Sequence, residues 1–383
     1  VIYDYPAISG EISRESLAVN HNYTMWRYLP FLPVEPATIP PLRVGWTPVY
    51  RTERLGEAIG VKTLYVKDEG LNPTASLKDR ASAMAVAKAR EAGAQTIACS
   101  STGNAASSLA GNAAPVGLRT CIFVPGRAPE GKVAQLLIFG ATVVSVQGSY
   151  EDTFRLSEQA IKEWGWYNRN AAINPYLVEG KKTVTMELVE QLNWEVPDWV
   201  VVSVGDGCTI GGAWKGLLDF YQAGLIDRLP RMLGVQAEGC CPIAAAFIND
   251  EPLKPAAENT LADSIAVGVP RNPDKALRAV TESQGTMVTV SDEEILAAMR
   301  LLGSTGGIFG EPAGVAGLAG LKKAAARGIV EAGATVAVIV TGNGLKDTQN
   351  AIRAAQKPIQ VAPRMDLLIE ALKERGYAAK GGD

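Results

Sequence analysis

The sequence predicts an α/β protein built on parallel, helix-covered sheet, and three observations carry that expectation. From Gln95 onward, short apolar strands alternate with helical segments, the pattern of a sheet buried on both faces. Three apolar strands end in loops of small residues: SSTGN (100–104), VGDGCTIGG (204–212) and TGNG (341–344). The length of 383 residues allows a large core divided between two lobes.

In chain order, residues 1–50 read as an irregular arm rich in prolines and aromatics, with Trp26, Tyr28 and Phe31 packing on the body or on a second subunit. A short strand (Thr47 to Tyr50), a short helix (Glu53 to Gly60) and a strand (Lys62 to Lys67) follow. Next comes a polar loop, LNPTASLKDRA, whose Asn72, Pro73 and Thr74 are turn formers. It runs into the alanine-rich helix ASAMAVAKAREAG. Residues 95–172 then form strand-helix-strand-helix-strand-helix-strand, a small α/β domain inserted into a larger one made of 1–94 and 173–383. The larger part continues with the helix VEGKKTVTMELVEQL, the strand DWVVVSVG, the helix AWKGLLDFYQAG and the strand RMLGVQAEG. A long loop (248–274), a strand and a helix capped by Ser291 and Glu294 come next. The small-residue helix GEPAGVAGLAGLKKAAARG, the strand ATVAVIVTGNG and a last helix, MDLLIEALKERG, complete the chain.

Composition narrows the function classes. Hydrophobic residues make up 47% and charged residues 20%, as in soluble globular enzymes. The net charge of −3 disfavours a nucleic-acid surface. No run of about 18 apolar residues suggests a membrane span. The first residues show no basic start or apolar signal core, and the five cysteines have no CxxC spacing, so reduced thiols in a cytoplasmic protein are expected. A single histidine, His21, argues against a Ser-His-Asp triad or a multi-histidine metal site.

Lys78 is the candidate catalytic residue. It sits where the polar loop meets its helix, so its amine can face a cleft and form an imine with an aldehyde cofactor, of which pyridoxal phosphate is the usual one. Taken alone it reads more readily as a solvated lysine paired with Asp79 or Glu69. The three small-residue loops change that balance, because ligands of open parallel sheets bind beyond the carboxyl ends of the strands. SSTGN leads into a helix N-terminus and suits a carboxylate, while GDGCTIGG suits a monoester phosphate and lacks both the GK[ST] and the GxGxxG nucleotide patterns. Thr341 at a strand end can offer a hydroxyl to a ring nitrogen.

With EGLNPTASLKDR (69–80), SSTGN, INPYLVEGKKT (173–183), VGDGCTIGG, GEPAG (310–314) and TGNGLKD (341–347) in this order, the chain resembles the threonine synthase family of the tryptophan synthase β-subunit-like superfamily. MWRYLPFLPV (25–34) looks like the N-terminal arm of that family. The resemblance implies two open, mostly parallel twisted sheets with helices on both faces, bound pyridoxal 5'-phosphate, a small amino-acid substrate and a homodimer. It further implies that Lys78 holds the cofactor and then moves protons, and that Asn104 bonds the cofactor's phenolic oxygen. By the same resemblance Gly205, Asp206, Gly207, Cys208 and Thr209 cradle its phosphate, Thr341 faces its ring nitrogen, and Ser101, Thr102 and Gly103 hold the substrate carboxylate. The implied reaction turns O-phosphohomoserine into threonine and phosphate.

The sequence departs from the family where substrate should be recognised. Ala171 and Ala172 stand for an asparagine and a serine, Leu177 for the arginine expected on the substrate phosphate, Lys181 for a glutamine, and ASLKDRAS for GSFKDRG. Three readings of the activity therefore stay open. One is threonine synthase with an altered phosphate site. Another is a relative with a different substrate, such as a serine/threonine dehydratase or a β-replacement enzyme. The third is a non-catalytic anion-binding protein.

Overall fold

The protein is described by a computed structural model covering residues 1–126, 128, 130–171 and 173–377. Among the described residues, ten strands form two sheets. The larger contains β1 (Val49–Arg51), β2 (Thr63–Asp68), β7 (Trp199–Ser203), β8 (Arg231–Ala237), β9 (Thr286–Val290) and β10 (Thr335–Val340) in the order β1-β2-β10-β7-β8-β9. Among the described strand pairs of this sheet, β1–β2 is antiparallel and the others are parallel. The smaller sheet contains β3 (Thr96–Ser100), β4 (Arg119–Pro125), β5 (Thr142–Val146) and β6 (Tyr167–Asn168) in the order β5-β4-β3-β6, all parallel.

Side-chain alternation explains why both faces of the larger sheet are covered. In β10, Val336, Val338 and Val340 enter one core, while Ala337 and Ile339 enter the other. The helix Pro312–Ala326 closes the first core. The helices Tyr176–Gln191 and Cys208–Gln222 close the second. Ser291 caps its helix reciprocally with Glu294, as its sequence spacing indicates.

The first fifty residues are more ordered than an irregular arm. Asp4 caps a helix at Tyr5–Glu11, Ser13 and Ser16 box a turn at Arg14–Ala18, and Met25–Phe31 forms 3-10 turns. These segments are short, and local capping rather than apolar periodicity holds them, which is why a search for periodicity passes over them. Tyr28 and Phe31 are fully buried against Phe220. The 248–274 loop is likewise bounded by two helices, Pro242–Asn249 and Pro273–Glu282.

The helix Lys78–Glu91 ties the parts together. Ala81, Ala85, Val86 and Ala89 pack into the core of the smaller sheet. Ala83, Met84 and Ala87 pack on Met25 and Trp26 of the arm. It meets the helix Tyr176–Gln191 at Gly180, where an added Cβ would lie 2.2 Å from Arg80 O, so only glycine permits the crossing.

Beneath this helix lies a set of balanced charges with no solvent contact. Arg80 grips Glu69 with Nε and Nη2, both at 2.7 Å, and Glu187 with Nη1 and Nη2, both at 2.6 Å. Lys67 Nζ donates to Glu187 Oε2 at 2.9 Å. All four side chains are 0% exposed. Burial alone would raise the Glu187 pKa, but Arg80 and Lys67 hold it at about 2. Removing one member of such a set leaves an uncompensated charge. Glu187→Gln should lower stability by about 3–5 kcal/mol in urea unfolding; a loss below about 1 kcal/mol, the worth of a surface pair, would refute this account.

Candidate active site

Lys78 is the first residue of its helix and is half-buried. The chain reaches it through Ala75, whose φ of +66° lies in the left-handed region. Three hydrogen bonds fix the turn: Ala75 N to Asn72 O at 2.8 Å, Leu77 N to Thr341 O at 2.9 Å and Asn343 N to Ala75 O at 3.1 Å. This geometry explains why the family pattern has glycine where this chain has Ala75.

The strand-end loops converge as the sequence suggests. The Lys78 loop bonds to Thr341 and bridges through Ser76 to Gly342. Glu311 N donates to Gly342 O at 3.0 Å, which joins GEPAG to the same point. Asn104 Nδ2 donates to Glu311 Oε1 at 2.6 Å and brings in SSTGN. Ser101, Thr102 and Gly103 are partly exposed; Ser101 Oγ accepts from Gly103 N at 3.2 Å. Thr102, Gly103 and Asn104 line a cavity with Ser107, Lys132 and Lys346. Cys208 of the glycine loop lies within electrostatic reach of Lys78.

The glycine loop opens the 15-residue helix Cys208–Gln222. Gly207 is its N-cap, at φ +88°, and an added Cβ there would lie 2.2 Å from Asn272 O. No side chain caps this helix, so its first N–H groups are free to meet an anion. The Asp206 side chain turns elsewhere: it accepts from Arg271 N and from Cys208 Sγ, at 3.5 Å in the latter case. Asp206 therefore braces the loop against residues 271–272. Cys208 Sγ accepts from Asn272 Nδ2 at 3.0 Å, and Thr209 remains partly exposed.

The electrostatics suit an aldehyde-phosphate cofactor. Burial and the positive charge of Lys181, with a smaller push from Arg169, bring the Lys78 amine down to about 8 against the pull of Glu311. A larger neutral fraction near pH 7 is what imine formation needs. Among the described residues Lys78, Lys181 and Arg169 have no carboxylate within ion-pair distance, so this wall carries net positive charge. A phosphate would offset it. Asn104 keeps a second N–H beyond the one given to Glu311. Lys78, the glycine loop and Thr341 thus fit pyridoxal phosphate.

One substrate-side expectation needs correction. Leu177 is 1% exposed and packs with Ala81, Ala85 and Leu109 in the core of the smaller sheet. It fills core volume and is not a vacant phosphate position, so an arginine introduced there would be buried without a partner. Ala171 lies in the turn before the helix Tyr176–Gln191, and Ala172 falls outside the described residues.

The sequence reading gave no role to Glu311 or Arg169. Glu311 is 4% exposed, and burial pushes its pKa up to about 7, against Lys78 and Asn104. Its only signal is its place in GEPAG. Arg169 is 2% exposed and carries no sequence signal.

The comparisons agree with this geometry. The family model described as "Pyridoxal-phosphate dependent enzyme" matches residues 41–342. Threonine synthase of Methanocaldococcus jannaschii is 42% identical over 98% of this chain and 93% of its own length. That of Methanosarcina acetivorans is 43% identical over 97% and 91%. Among solved structures, the processed form of threonine deaminase isoform 2 from Solanum lycopersicum has a TM-score of 0.72 at 20% identity, covering 86% of this chain and 92% of that one. Diaminopropionate ammonia lyase of Escherichia coli, with bound aminoacrylate-PLP, has a TM-score of 0.69 at 22% identity, covering 80% and 86%. Fold and site define a fold type II pyridoxal-phosphate enzyme. Within the pyridoxal-phosphate dependent enzyme family, the chain belongs to the threonine synthase group, as a lyase.

Two predictions follow from the Lys78 turn. In cofactor-free protein, acylation of Lys78 should rise with pH around a midpoint near 8. Lys181→Gln should move that midpoint upward, because a like charge is removed. A midpoint in the ordinary lysine range would refute the assignment. Ala75→Gly should raise stability by up to about 1 kcal/mol, since left-handed strain exceeds the added backbone entropy of glycine; a lower urea midpoint would contradict this.

Proposed function

We propose that the protein converts O-phosphohomoserine and water into threonine and inorganic phosphate. After the α-proton, a proton leaves the β-carbon; its electron pair expels phosphate by breaking the C–O bond at the γ-carbon, the γ-carbon takes up a proton to become a methyl group, and water adds its hydroxyl at the β-carbon as its proton is released. The observation that carries this reading is the buried positive wall of Lys78, Lys181 and Arg169, which suits a phosphorylated substrate beside a phosphorylated cofactor. The threonine synthases at 38–43% identity support it.

Bound pyridoxal phosphate supplies an electron sink for charge left at the substrate's α-carbon. The chain's residues do the rest. Lys78 takes the proton at the α-carbon and returns it, a task suited to an amine with a pKa of about 8. Gly205, Gly207, Cys208 and Thr209 present the helix N-terminus to the cofactor's phosphate, and Asp206 shapes that loop. Thr341 offers a hydroxyl to the ring nitrogen, and Asn104 an N–H to the phenolic oxygen. Ser101, Thr102 and Gly103 receive the substrate carboxylate. Glu311, with a pKa of about 7, accepts from Asn104 at Oε1 and can hold or give up a proton at its other oxygen.

The same proposal extends to organisation. Residues 95–172 act as a small lobe against 1–94 and 173–383. The exposed apolar residues Leu71, Phe309 and Leu345 surround the Asn343 turn and form a face that a second copy covers in a homodimer. The protein works in the cytoplasm. Three observations support this: no helix among the described residues is long and apolar enough to cross a membrane, the net charge is −3, and the cysteines are unbridged.

Product analysis tests the reaction. Cofactor-loaded protein given O-phospho-L-homoserine should release threonine and phosphate in equal amounts, and Lys78→Ala should abolish both turnover and the cofactor's visible absorbance. Release of a 2-oxo acid and ammonia from serine or threonine, with no threonine from the phosphorylated substrate, would replace the proposal with a dehydratase. Full activity in Lys78→Ala would remove its centre.

A further inference from the structure

Arg169 is a cation that the fold leaves unanswered. It follows β6, and its N–H donates to Ala98 O at 2.9 Å, so it stands at the carboxyl end of the smaller sheet. Its side chain runs to the Lys78 helix, where Nε and Nη2 donate to Ser82 Oγ at 3.2 and 3.1 Å. Ser82 lies one turn beyond Lys78 on the same helix face. Arg169 is 2% exposed, yet among the described residues only this hydroxyl receives its side-chain hydrogen bonds. Arg80, equally buried, has two carboxylates. A guanidinium without an anion is costly to bury, so a partner from outside the chain is expected.

The neighbours of Arg169 point the same way. Asn170 Oδ1 accepts from Ser100 N at 2.8 Å and fixes the amide at the end of β3. Asn170 Nδ2 and Ser100 Oγ are both buried with no hydrogen-bond partner. Near one end of the smaller sheet, a guanidinium held only by a neutral hydroxyl is thus accompanied by an amide N–H and a hydroxyl that have no partner. Lys181, 3% exposed, is a second buried cation near Arg169, and both lie within electrostatic reach of Cys208 in the glycine loop.

We propose that Arg169, with Ser100 and Asn170, binds the phosphate group of a phosphorylated amino-acid substrate. The inference rests on the function proposed above for the identity of that substrate. A planar fork matches two oxygens of a phosphate dianion, which an ammonium cannot do as a point charge. The site is also selective: a neutral hydroxy amino acid leaves the buried donors unmatched, and such a site rejects analogues that lack the matching group.

The test uses holoenzyme, in which the glycine loop is already engaged by cofactor, and inorganic phosphate as the probe. Wild type, Arg169→Gln and Arg169→Lys are compared by calorimetry with phosphate, by cofactor affinity from visible absorbance, and by KM and kcat for O-phosphohomoserine. Phosphate affinity should fall about 10- to 100-fold in Arg169→Gln and less in Arg169→Lys, which keeps the charge without the fork. KM should rise in parallel, with kcat and cofactor affinity largely kept. Unchanged phosphate binding in Arg169→Gln would overturn the inference. So would a loss confined to cofactor affinity, since Arg169 would then serve the cofactor's phosphate. Should the glutamine variant not fold, Arg169→Lys decides by the same criterion. Phosphate bound through Arg169 without turnover of O-phosphohomoserine would sink the proposed reaction and leave this site standing. Turnover indifferent to Arg169 would do the reverse.

Discussion

Everything at the site depends on one double grip. Arg80 holds Glu69 and Glu187 at once, and Lys67 completes the neutral set. Glu69 belongs to the loop after β2, Glu187 to the helix crossing at Gly180, and Arg80 to the helix that begins with Lys78. Three elements from distant parts of the sequence are therefore locked two residues from the reactive amine. Interior charges of this kind contribute little net stability compared with apolar packing. What they contribute here is position: the fork geometry accepts one arrangement of the three elements, and that arrangement sets where the Lys78 amine stands.

Much of this was legible in the sequence, and the reason is physical. Strand-and-glycine-loop junctions such as SSTGN and VGDGCTIGG leave a local signature, because a backbone that approaches an anion closely has few residue choices. The parallel sheets follow from apolar runs separated by helices. The short capped helices near Tyr5 and Arg14 were not legible, because single side-chain caps hold them. Arg169 was not legible for another reason: nothing in NRNAA distinguishes a solvated arginine from one enclosed between a strand end and a helix. Leu177 misled in the opposite sense. Its position was right for a substrate contact, but burial among Ala81, Ala85 and Leu109 decides what it does.

The cleft contrasts with the scaffold below it. In the scaffold each buried cation has its carboxylate. In the cleft Glu311 accepts from Asn104 and Asp206 from Arg271 N, and among the described residues neither carboxylate forms an ion pair with Lys78, Lys181 or Arg169. Burial and the charge of Lys181 pull the Lys78 amine toward neutrality, and burial, working against the nearby cations, holds Glu311 near the point of gaining a proton. Both groups then exchange protons within a narrow pH range, as a sequence of proton removals and returns at adjacent carbons requires.

The depth of the Arg80 set has a consequence for ionic strength. Mobile ions screen charges that water can reach, over about 8 Å at physiological salt, and act much less on charges enclosed by protein. Arg80, Lys67, Glu69 and Glu187 admit no solvent, whereas Lys132 and Lys346 on the cleft wall are partly open to it. Added salt thus acts on the two sets of charges separately: it weakens the field that draws an anionic substrate into the cleft and leaves untouched the lock that holds the cleft in shape.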